Sequence, residues 1–180
     1  MKKKFLEEIN IPEGISCEFS NHLLTCKKDS QELKKKIDIP FVKTKIEDGK
    51  VVFSCDSGNK NQYKTMKSFI AHIKNMFTGL NEGYTYRLES ANVHFPMTFK
   101  VEGDKLTINN FLGEKTPRFA RILSGVKVDI KGSKITVTSS DKEAAGQTAA
   151  NFEKATKIKN RDRRVFQDGI YLIERPRGAK

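Results

Sequence analysis

The stretch Val126–Ser140 reads VKVDIKGSKITVTSS, and a related stretch, VKTKIEDGKVVFSC, occupies Val42–Cys55. The two are offset by 84 residues, and each has a glycine turn between two runs rich in β-branched residues. Asp48-Gly49 is a strong hairpin signal because both residues tolerate positive φ. The matching positions are Val42/Val126, Lys43/Lys127, Ile46/Ile130, Lys50/Lys134 and Val51/Ile135. A repeated unit of about eighty residues is too long for a solenoid and predicts two tandem domains.

A helix is predicted after each hairpin, and the two helices differ in the size of their side chains. Between about residues 61 and 78, large apolar residues recur at three- and four-residue spacing, and Gly79 supplies a stop. They are Tyr63, Met66, Phe69, Ile70, Ile73, Met76 and Phe77. The second helix carries a thin stripe of Ala144, Ala145, Thr148, Ala149, Phe152 and Ala155. We interpret the first pattern as ordinary core packing and the second as tight packing of a helix on a sheet.

Gly146 lies within the second predicted helix, where glycine costs about 1 kcal/mol relative to alanine. Something therefore requires a residue without a side chain at this position. A close approach of an RNA backbone is one reason, and an irregular helix start is another. The sequence does not decide between these two.

The repeat and the two helices predict an α+β fold of two tandem copies of the same small domain. Each copy is expected to be an antiparallel β-sheet with one main helix packed on it. We place an N-terminal extension at residues 1–10, the first domain at 11–90, the second domain at 91–172 and a basic C-terminal tail at 173–180. Glu32–Asp38 is predicted to be an edge strand, since its lysines discourage pairing with another sheet.

Positive charge is concentrated in the second half of the chain. The net charge is +12, of which residues 1–90 contribute +4 and residues 91–180 contribute +8. From Lys154 onward there are nine Lys or Arg and three Asp or Glu residues. Such a patch releases counterions when it meets phosphates, which gives a salt-dependent affinity for nucleic acid. The alternative is a solvated basic surface that keeps the protein soluble.

Other classes of protein find little support in the sequence. The cysteines Cys17, Cys26 and Cys55 are odd in number and form no CxxC pair, which favours a reduced, cytoplasmic protein over a disulfide or zinc framework. No apolar run is long enough to span a membrane. The three histidines have no nucleophile motif beside them, and there is no P-loop or dinucleotide fingerprint. We therefore predict no enzyme, cofactor, metal site or small-molecule substrate.

Basic residues cluster in two places that are suited to an RNA surface. One is the loop before the second hairpin, with Lys115, Arg118 and Arg121. The other follows the second helix and contains Lys157, Lys159, Arg161, Arg163 and Arg164. The planar fork of arginine binds phosphate at two points. Phe119, Phe166 and Tyr171 lie among these residues as candidates for base stacking, with a place in the core as the alternative for Phe166 and Tyr171.

Several segments resemble one known family. NVHFPMTFKVEGDKLTINNFLGEK, DKEAAGQTAANFEKATKI and RDRRVFQDGIY are similar to large-subunit ribosomal protein six, a universal family, in its archaeal and eukaryotic type. AHIKNM, with Gly79 and Gly83 behind it, resembles the helix of that family's first domain. The likeness runs from about Ile11 to Glu174, and GQTAANFEKAT together with RDRRVFQDGIY is closer to archaeal than to animal or fungal sequences.

The resemblance implies a structural role in translation. A member of this family is expected to bind large-subunit rRNA near the factor-binding region and the sarcin–ricin loop, beside neighbouring large-subunit proteins in the cytoplasm. The second domain and the C-terminal segment are expected to make most of the contact. To the two basic clusters the resemblance adds Gly146, Gln147 and Asn151. One departure is Lys27-Lys28-Asp29-Ser30-Gln31, where relatives carry a Gly-rich turn, and it weakens the case for contacts in the first domain.

Two other functions compete with this reading. A free-standing basic nucleic-acid-binding protein would bind generic duplex nearly as well as folded rRNA. A small hydrolase built around His94 ranks far behind, because the sequence offers no partner residues for such chemistry.

Overall fold

The computed structural model describes residues 3–176, which divide into two compact units, unit 1 (residues 3–82) and unit 2 (residues 83–176). Both units combine antiparallel sheets with one long helix, so the predicted α+β fold with two tandem domains is confirmed. In each unit the strands form two sheets where the sequence predicted one. Neither helix in residues 3–176 is long and apolar enough to cross a lipid bilayer.

Unit 1 contains six strands followed by one helix. The elements are β1 (Lys3–Asn10), β2 (Ser16–Ser20), β3 (Leu23–Lys28), β4 (Gln31–Lys36), β5 (Lys43–Glu47), β6 (Lys50–Gly58) and α1 (Lys60–Asn81). One sheet has the order β1-β6-β5 and the other β2-β3-β4, with every pair antiparallel. Asp48 and Gly49 join β5 to β6 with φ of 48° and 72°, as the hairpin signal predicted. β4 lies at the edge of its sheet, as expected for the lysine-rich strand.

α1 is fixed at both ends by its sequence. The Asn59 side chain accepts from the Gln62 N–H at 2.9 Å, and the Gln62 side chain accepts from the Asn59 N–H at 2.7 Å, forming a capping box. The predicted stop at Gly79 is wrong, because Gly79 is buried inside the helix, which continues to Asn81. Gly83, with φ of 72°, follows the helix end in the left-handed conformation that glycine adopts readily.

Unit 2 repeats the same order of six strands and one helix and then adds a seventh strand. The elements are β7 (Tyr84–Ala91), β8 (Thr98–Glu102), β9 (Lys105–Asn109), β10 (Arg118–Arg121), β11 (Lys127–Lys131), β12 (Lys134–Ser139), α2 (Lys142–Ala155) and β13 (Gly169–Glu174). The sheets have the orders β11-β12-β7-β13 and β10-β9-β8. The strands that flank the repeated hairpins, β1 in unit 1 and β7 in unit 2, therefore occupy equivalent places.

The boundaries of the units differ from the predicted ones for reasons of strand pairing. β1 pairs with β6 along its length and buries Ile9, so residues 3–10 belong to the first sheet rather than to an extension. β7 pairs with β12 and β13, which places residues 84–91 in unit 2. In the predicted basic tail, Ile173 and Glu174 form the end of β13. Residues 1–2 and 177–180 lie outside the described part of the chain.

β13 is an edge strand whose open side is covered by side chains of the α2 end. The Ile170 N–H donates to Thr156 Oγ1 at 2.9 Å, and the Leu172 N–H donates to Glu153 Oε1 at 3.0 Å. Thr156 is itself buried, and its hydroxyl lies 3.3 Å from the Phe152 carbonyl. Free N–H groups on an edge strand invite pairing with another chain, so these two bonds close part of that edge.

Candidate nucleic-acid interface

α2 packs on the sheets of unit 2 through small residues, as its sequence predicted. Asp141 begins the helix by accepting the Glu143 N–H at 2.8 Å. The buried residues are Ala144, Ala145, Thr148, Ala149 and Phe152. Gln147, Asn151 and Lys154 follow each other at i, i+4 and i+7 and therefore share one outward-facing stripe of the helix. This stripe forms the central part of the candidate interface.

A tyrosine of the sheet lies against Gly146 and leaves little room for a side chain at this position. A Cβ at this position would come within 2.9 Å of Tyr86 Oη and 3.3 Å of Tyr86 Cζ. The helix begins four residues earlier, at Lys142, so an irregular start does not explain the glycine. Burial raises the pKa of the Tyr86 hydroxyl above its ordinary value. Internal packing on Tyr86 thus accounts for Gly146 without an RNA backbone.

Hydrogen bonds gather three candidate residues into one groove, here called the amide groove. Gln147 Nε2 donates to Asn151 Oδ1 at 2.9 Å, and Asn151 Nδ2 donates to the Arg121 carbonyl at 3.0 Å. The Leu123 N–H donates to Thr148 Oγ1 at 3.2 Å, which fastens the segment after β10 to the helix. Gly103, Asp104 and residues 121–126 form the remaining walls. The groove therefore offers two amide side chains held by hydrogen bonds, with the side chains of Arg121 and Asp104 also in its lining.

Every nitrogen of the Arg118 guanidinium group donates a hydrogen bond to another residue of unit 2. Nε and Nη2 donate to the two carboxylate oxygens of Glu114 at 2.8 and 2.6 Å. Nη1 donates to the carbonyls of Ala155 at 2.9 Å and Lys157 at 3.3 Å, just where α2 ends. The group also lies 4.2 Å from the centre of the Phe111 ring, and its side chain is only 24% exposed. Arg118 therefore ties the loop before β10 to the end of α2.

The loop that Arg118 holds has an unusual backbone. Asn110 and Leu112 adopt positive φ values of 59° and 51°, a conformation that costs energy for residues with a side chain. The neighbouring Gly113 has φ of 75°, and a Cβ at that position would come within 3.2 Å of the Phe95 ring. Lys115 is exposed on this loop. The contacts of Arg118 thus fix the position from which Lys115 projects.

Several lysines and one arginine surround the end of α2, in what we call the basic cluster. Two shallow depressions lie there, one lined in part by Lys154, Lys157 and Arg163, the other by Arg118, Phe119, Lys154, Ala155 and Lys159. Lys154 lines both, although the sequence reasoning did not single it out. Its position on the same helical stripe as Gln147 and Asn151 was the signal that could have identified it. Lys154, Lys157, Lys159 and Arg163 are exposed and form no ion pair within residues 3–176.

The three arginines of the segment after α2 differ in their environments. Arg164 pairs with Asp162 at 2.9 Å, which lowers the pKa of that carboxyl, yet its side chain is 91% exposed. The Arg161 guanidinium lies 4.9 Å from the centre of the Phe166 ring. Arg163 points toward the depression with Lys157. Only Arg163 of the three has no partner among the described residues.

The three aromatic candidates for base stacking also differ in their environments. Phe119 is 61% exposed and lies with Lys154 and Lys159 around one depression. Phe166 packs against the core of unit 2, and Tyr171 donates its hydroxyl to the Gln167 carbonyl at 2.9 Å. Within residues 3–176 no group of three or more His, Cys, Asp or Glu side chains is placed to hold a metal ion. The surface therefore combines cations, amides and one open aromatic ring.

Comparison with known proteins identifies the family. The family model described as ribosomal protein L6 matches residues 95–169, a span that contains the candidate basic and amide residues from Lys115 to Arg164. The chain is 42% identical over 175 residues to large ribosomal subunit protein uL6 of Methanosarcina mazei, covering 97% of this chain and 99% of that protein. It is also 42% identical over 169 residues to the uL6 protein of Methanococcus vannielii, covering 94% and 93%. With this identity over nearly its whole length, the chain belongs to the ribosomal protein L6 family, as its segments predicted, and is a structural protein rather than an enzyme.

Proposed function

We propose that this chain is a constituent of the large ribosomal subunit in the cytoplasm and that unit 2 binds large-subunit rRNA near the factor-binding region and the sarcin–ricin loop. The observation that carries this proposal is the basic cluster. Four exposed cations without internal partners surround the end of one helix, and the amide groove lies along the same helix. Neighbouring large-subunit proteins are the other expected partners.

The arrangement suits folded RNA because its parts have different tasks. Cations around the end of α2 neutralise phosphates and set the strength of binding, whereas the amides of the groove, fixed by their own hydrogen bonds, recognise backbone shape and sugar hydroxyls. Proposed direct contacts are Lys115, Arg121, Gln147, Asn151, Lys154, Lys157, Lys159, Arg161, Arg163 and Arg164. Arg118 and Gly146 shape this surface from inside, through Glu114, the helix carbonyls and Tyr86.

The test is a measurement of affinity for large-subunit rRNA across a series of salt concentrations. Replacing Lys154, Lys157 and Arg163 together with alanine removes three phosphate contacts and is expected to flatten the logarithmic salt slope by about 2 to 3. A matched control replaces Lys4, Lys64 and Lys74, three exposed lysines of unit 1 that lie outside the basic cluster and the amide groove. The control loses the same charge, and its slope is expected to change much less.

Two results would contradict the proposal. An equal loss of slope in both triple variants would mean that charge acts without a defined surface. Equal affinity of the wild-type chain for generic RNA duplex and for large-subunit rRNA would favour the free-standing nucleic-acid-binding protein. Radical footprinting of assembled subunits addresses the location, since the proposal expects protection that includes the region of the sarcin–ricin loop.

A further inference from the structure

The segment between β4 and β5 places a phenylalanine where a turn ordinarily demands glycine. The Val42 N–H donates to the Ile39 carbonyl at 3.2 Å, so Pro40 and Phe41 are the central residues of a tight turn. Phe41 has φ of 65°. A proline followed by a residue with positive φ is the pattern of a type II turn, whose third position favours glycine or asparagine. A bulky side chain there is strained.

Burial of the Phe41 ring does not offset the free-energy cost of this backbone conformation. Phe41 is 82% exposed, while Ile37 and Ile39 on one side are buried and Val42 on the other packs against the core of unit 1. The Phe41 ring is therefore exposed to solvent, while the residues on either side of the turn pack in the core of unit 1. Strained residues and exposed aromatic anchors are both features that accompany binding sites.

The turn is also held firmly in place. Gln62 Nε2 donates to the Pro40 carbonyl at 3.1 Å, and the same side chain accepts the Asn59 N–H in the capping box of α1. The ring therefore projects from a turn fixed to the first turn of a long helix. An aromatic platform that is rigid before binding loses little conformational entropy when a partner arrives.

The charges near this turn indicate the chemistry of the partner. Lys36, Lys43 and Lys60 are exposed and form no ion pair within residues 3–176. The first turn of α1 contains no acidic residue, so its positive dipole end is uncompensated. One exposed carboxylate, Asp38, is the opposing charge in the segment. A flat apolar ring among net positive charge matches a nucleotide, which presents a base to stack and a phosphate to pair.

We propose that Phe41 is a stacking platform for an unpaired base of RNA, with Lys36, Lys43 and Lys60 near the flanking phosphates. The site lies in unit 1, whereas the basic cluster and the amide groove belong to unit 2. By strand order, the segment that carries Phe41 is the counterpart of residues 122–126, which form a wall of the amide groove. Each unit would then use the connection after the third strand of its smaller sheet to meet RNA.

A tryptophan reporter tests the site directly in the full chain. The protein has no Trp, so Phe41→Trp introduces a single tryptophan at the proposed platform, and its fluorescence can be excited selectively over that of the four tyrosines. Titration with single-stranded oligoadenylate is expected to quench its fluorescence by stacking, whereas heparin, a polyanion without bases, is expected to leave it unquenched. Equal quenching by both polymers, or no quenching by oligoadenylate, would overturn the proposal even if unit 2 binds rRNA normally.

Two further substitutions separate stacking from strain. In a background carrying the Lys154, Lys157 and Arg163 replacements, Phe41→Ala and Phe41→Gly are each expected to weaken oligoadenylate binding about tenfold. Phe41→Gly is expected to melt at a higher temperature than Phe41→Ala, since glycine adopts positive φ without strain. Leu6→Ala, which removes another exposed apolar side chain of unit 1, is the control and is expected to bind unchanged.

The outcomes decide between an RNA base and a protein partner. Unchanged oligoadenylate affinity in both Phe41 variants would overturn the stacking role. Full affinity in Phe41→Gly with reduced affinity in Phe41→Ala would show that only the turn conformation matters. A photo-crosslinking residue at position 41 in assembled subunits is expected to react with rRNA, and reaction with a ribosomal protein instead would contradict the proposal.

Discussion

Units 1 and 2 share six strands and a helix in the same order, but they differ in what joins and follows those elements. β3 and β4 of unit 1 are connected by residues 29–30, whereas the equivalent β9 and β10 are connected by residues 110–117. Unit 2 also continues beyond its helix through residues 156–168 into β13. The candidate lysines and arginines lie mainly in these two additions. The repeated framework is therefore common to both units, whereas most of the candidate basic residues lie in segments that unit 1 lacks.

The helices show the same contrast in their packing. α1 buries Met66, Ile73 and Phe77, and its last turn carries no basic residue. α2 is buried mainly through alanines and Phe152, and its last turn carries Lys154. Phe152 is the one large side chain among the buried residues of α2, so much of the apolar contact of that helix depends on it.

Replacing Phe152 with alanine is expected to have the largest effect on stability. The side chain is fully buried, and truncation of such a phenylalanine costs about 3–5 kcal/mol. Unit 2 should therefore unfold at lower denaturant, while unit 1 keeps its own stability. Hydrogen exchange measured by mass spectrometry distinguishes the two units. Simultaneous loss of protection in residues 3–82 would contradict this prediction, because it would mean that the two units unfold together.

Gly146→Ala tests whether the close packing on Tyr86 is the reason for the glycine. The added methyl group meets Tyr86 Oη at 2.9 Å, so we expect destabilisation of about 1–3 kcal/mol, offset in part by the better helix propensity of alanine. Combining it with Tyr86→Phe removes the contacting hydroxyl and should restore part of the loss in urea denaturation. Unchanged stability of the single variant, with weakened rRNA binding, would instead favour close approach of an RNA backbone.

The smallest effect concerns the loop that unit 1 lacks. Arg118 donates to both oxygens of Glu114 and holds the pKa of that carboxyl below its ordinary value of 4.5. The stability from this pair is fully present above pH 4.5 and is lost as pH falls through the lowered pKa. Since Glu114 is more than a third exposed, the contribution is at most about 1 kcal/mol.

The corresponding substitution is Glu114→Gln, which removes the titrating group. Urea denaturation at pH 6 is expected to show a less stable variant, and the difference from wild type should shrink as the pH falls to 3. A difference that stays constant over this range would mean that Arg118 gains nothing from the charge of Glu114 and holds the loop only through the carbonyls of α2.

The sequence predicted the features that depend on local chemistry. Asp48-Gly49 gave the hairpin, the spacing of Met66 and Ile73 gave α1, and the small residues of α2 gave its packing face. Pairing between distant strands was harder to foresee. Residues 84–91 read as a strand whichever unit they join, and only the register with β12 and β13 places them in unit 2.

The charge of a residue did not indicate whether its side chain is exposed or bound within the protein. Lys115 and Arg118 look alike in the sequence, yet one is exposed and the other is bound by a carboxylate and two helix carbonyls. Glu114 stands four residues before Arg118, so one of these partners was visible, but the carbonyls of Ala155 and Lys157 come from a distant element. Gly146 was similarly ambiguous because its neighbour Tyr86 lies sixty residues away in the chain.

The covering of β13 by α2 bears on the interval between synthesis and assembly. A chain destined for a ribosome spends time without its RNA, surrounded by other newly made chains. Because Thr156 and Glu153 precede β13 in the chain, the helix that supplies them is translated before the strand whose N–H groups they bind. The Ile170 and Leu172 N–H groups can thus be bound as soon as the strand docks, which makes this part of the edge less open to pairing between two unassembled copies.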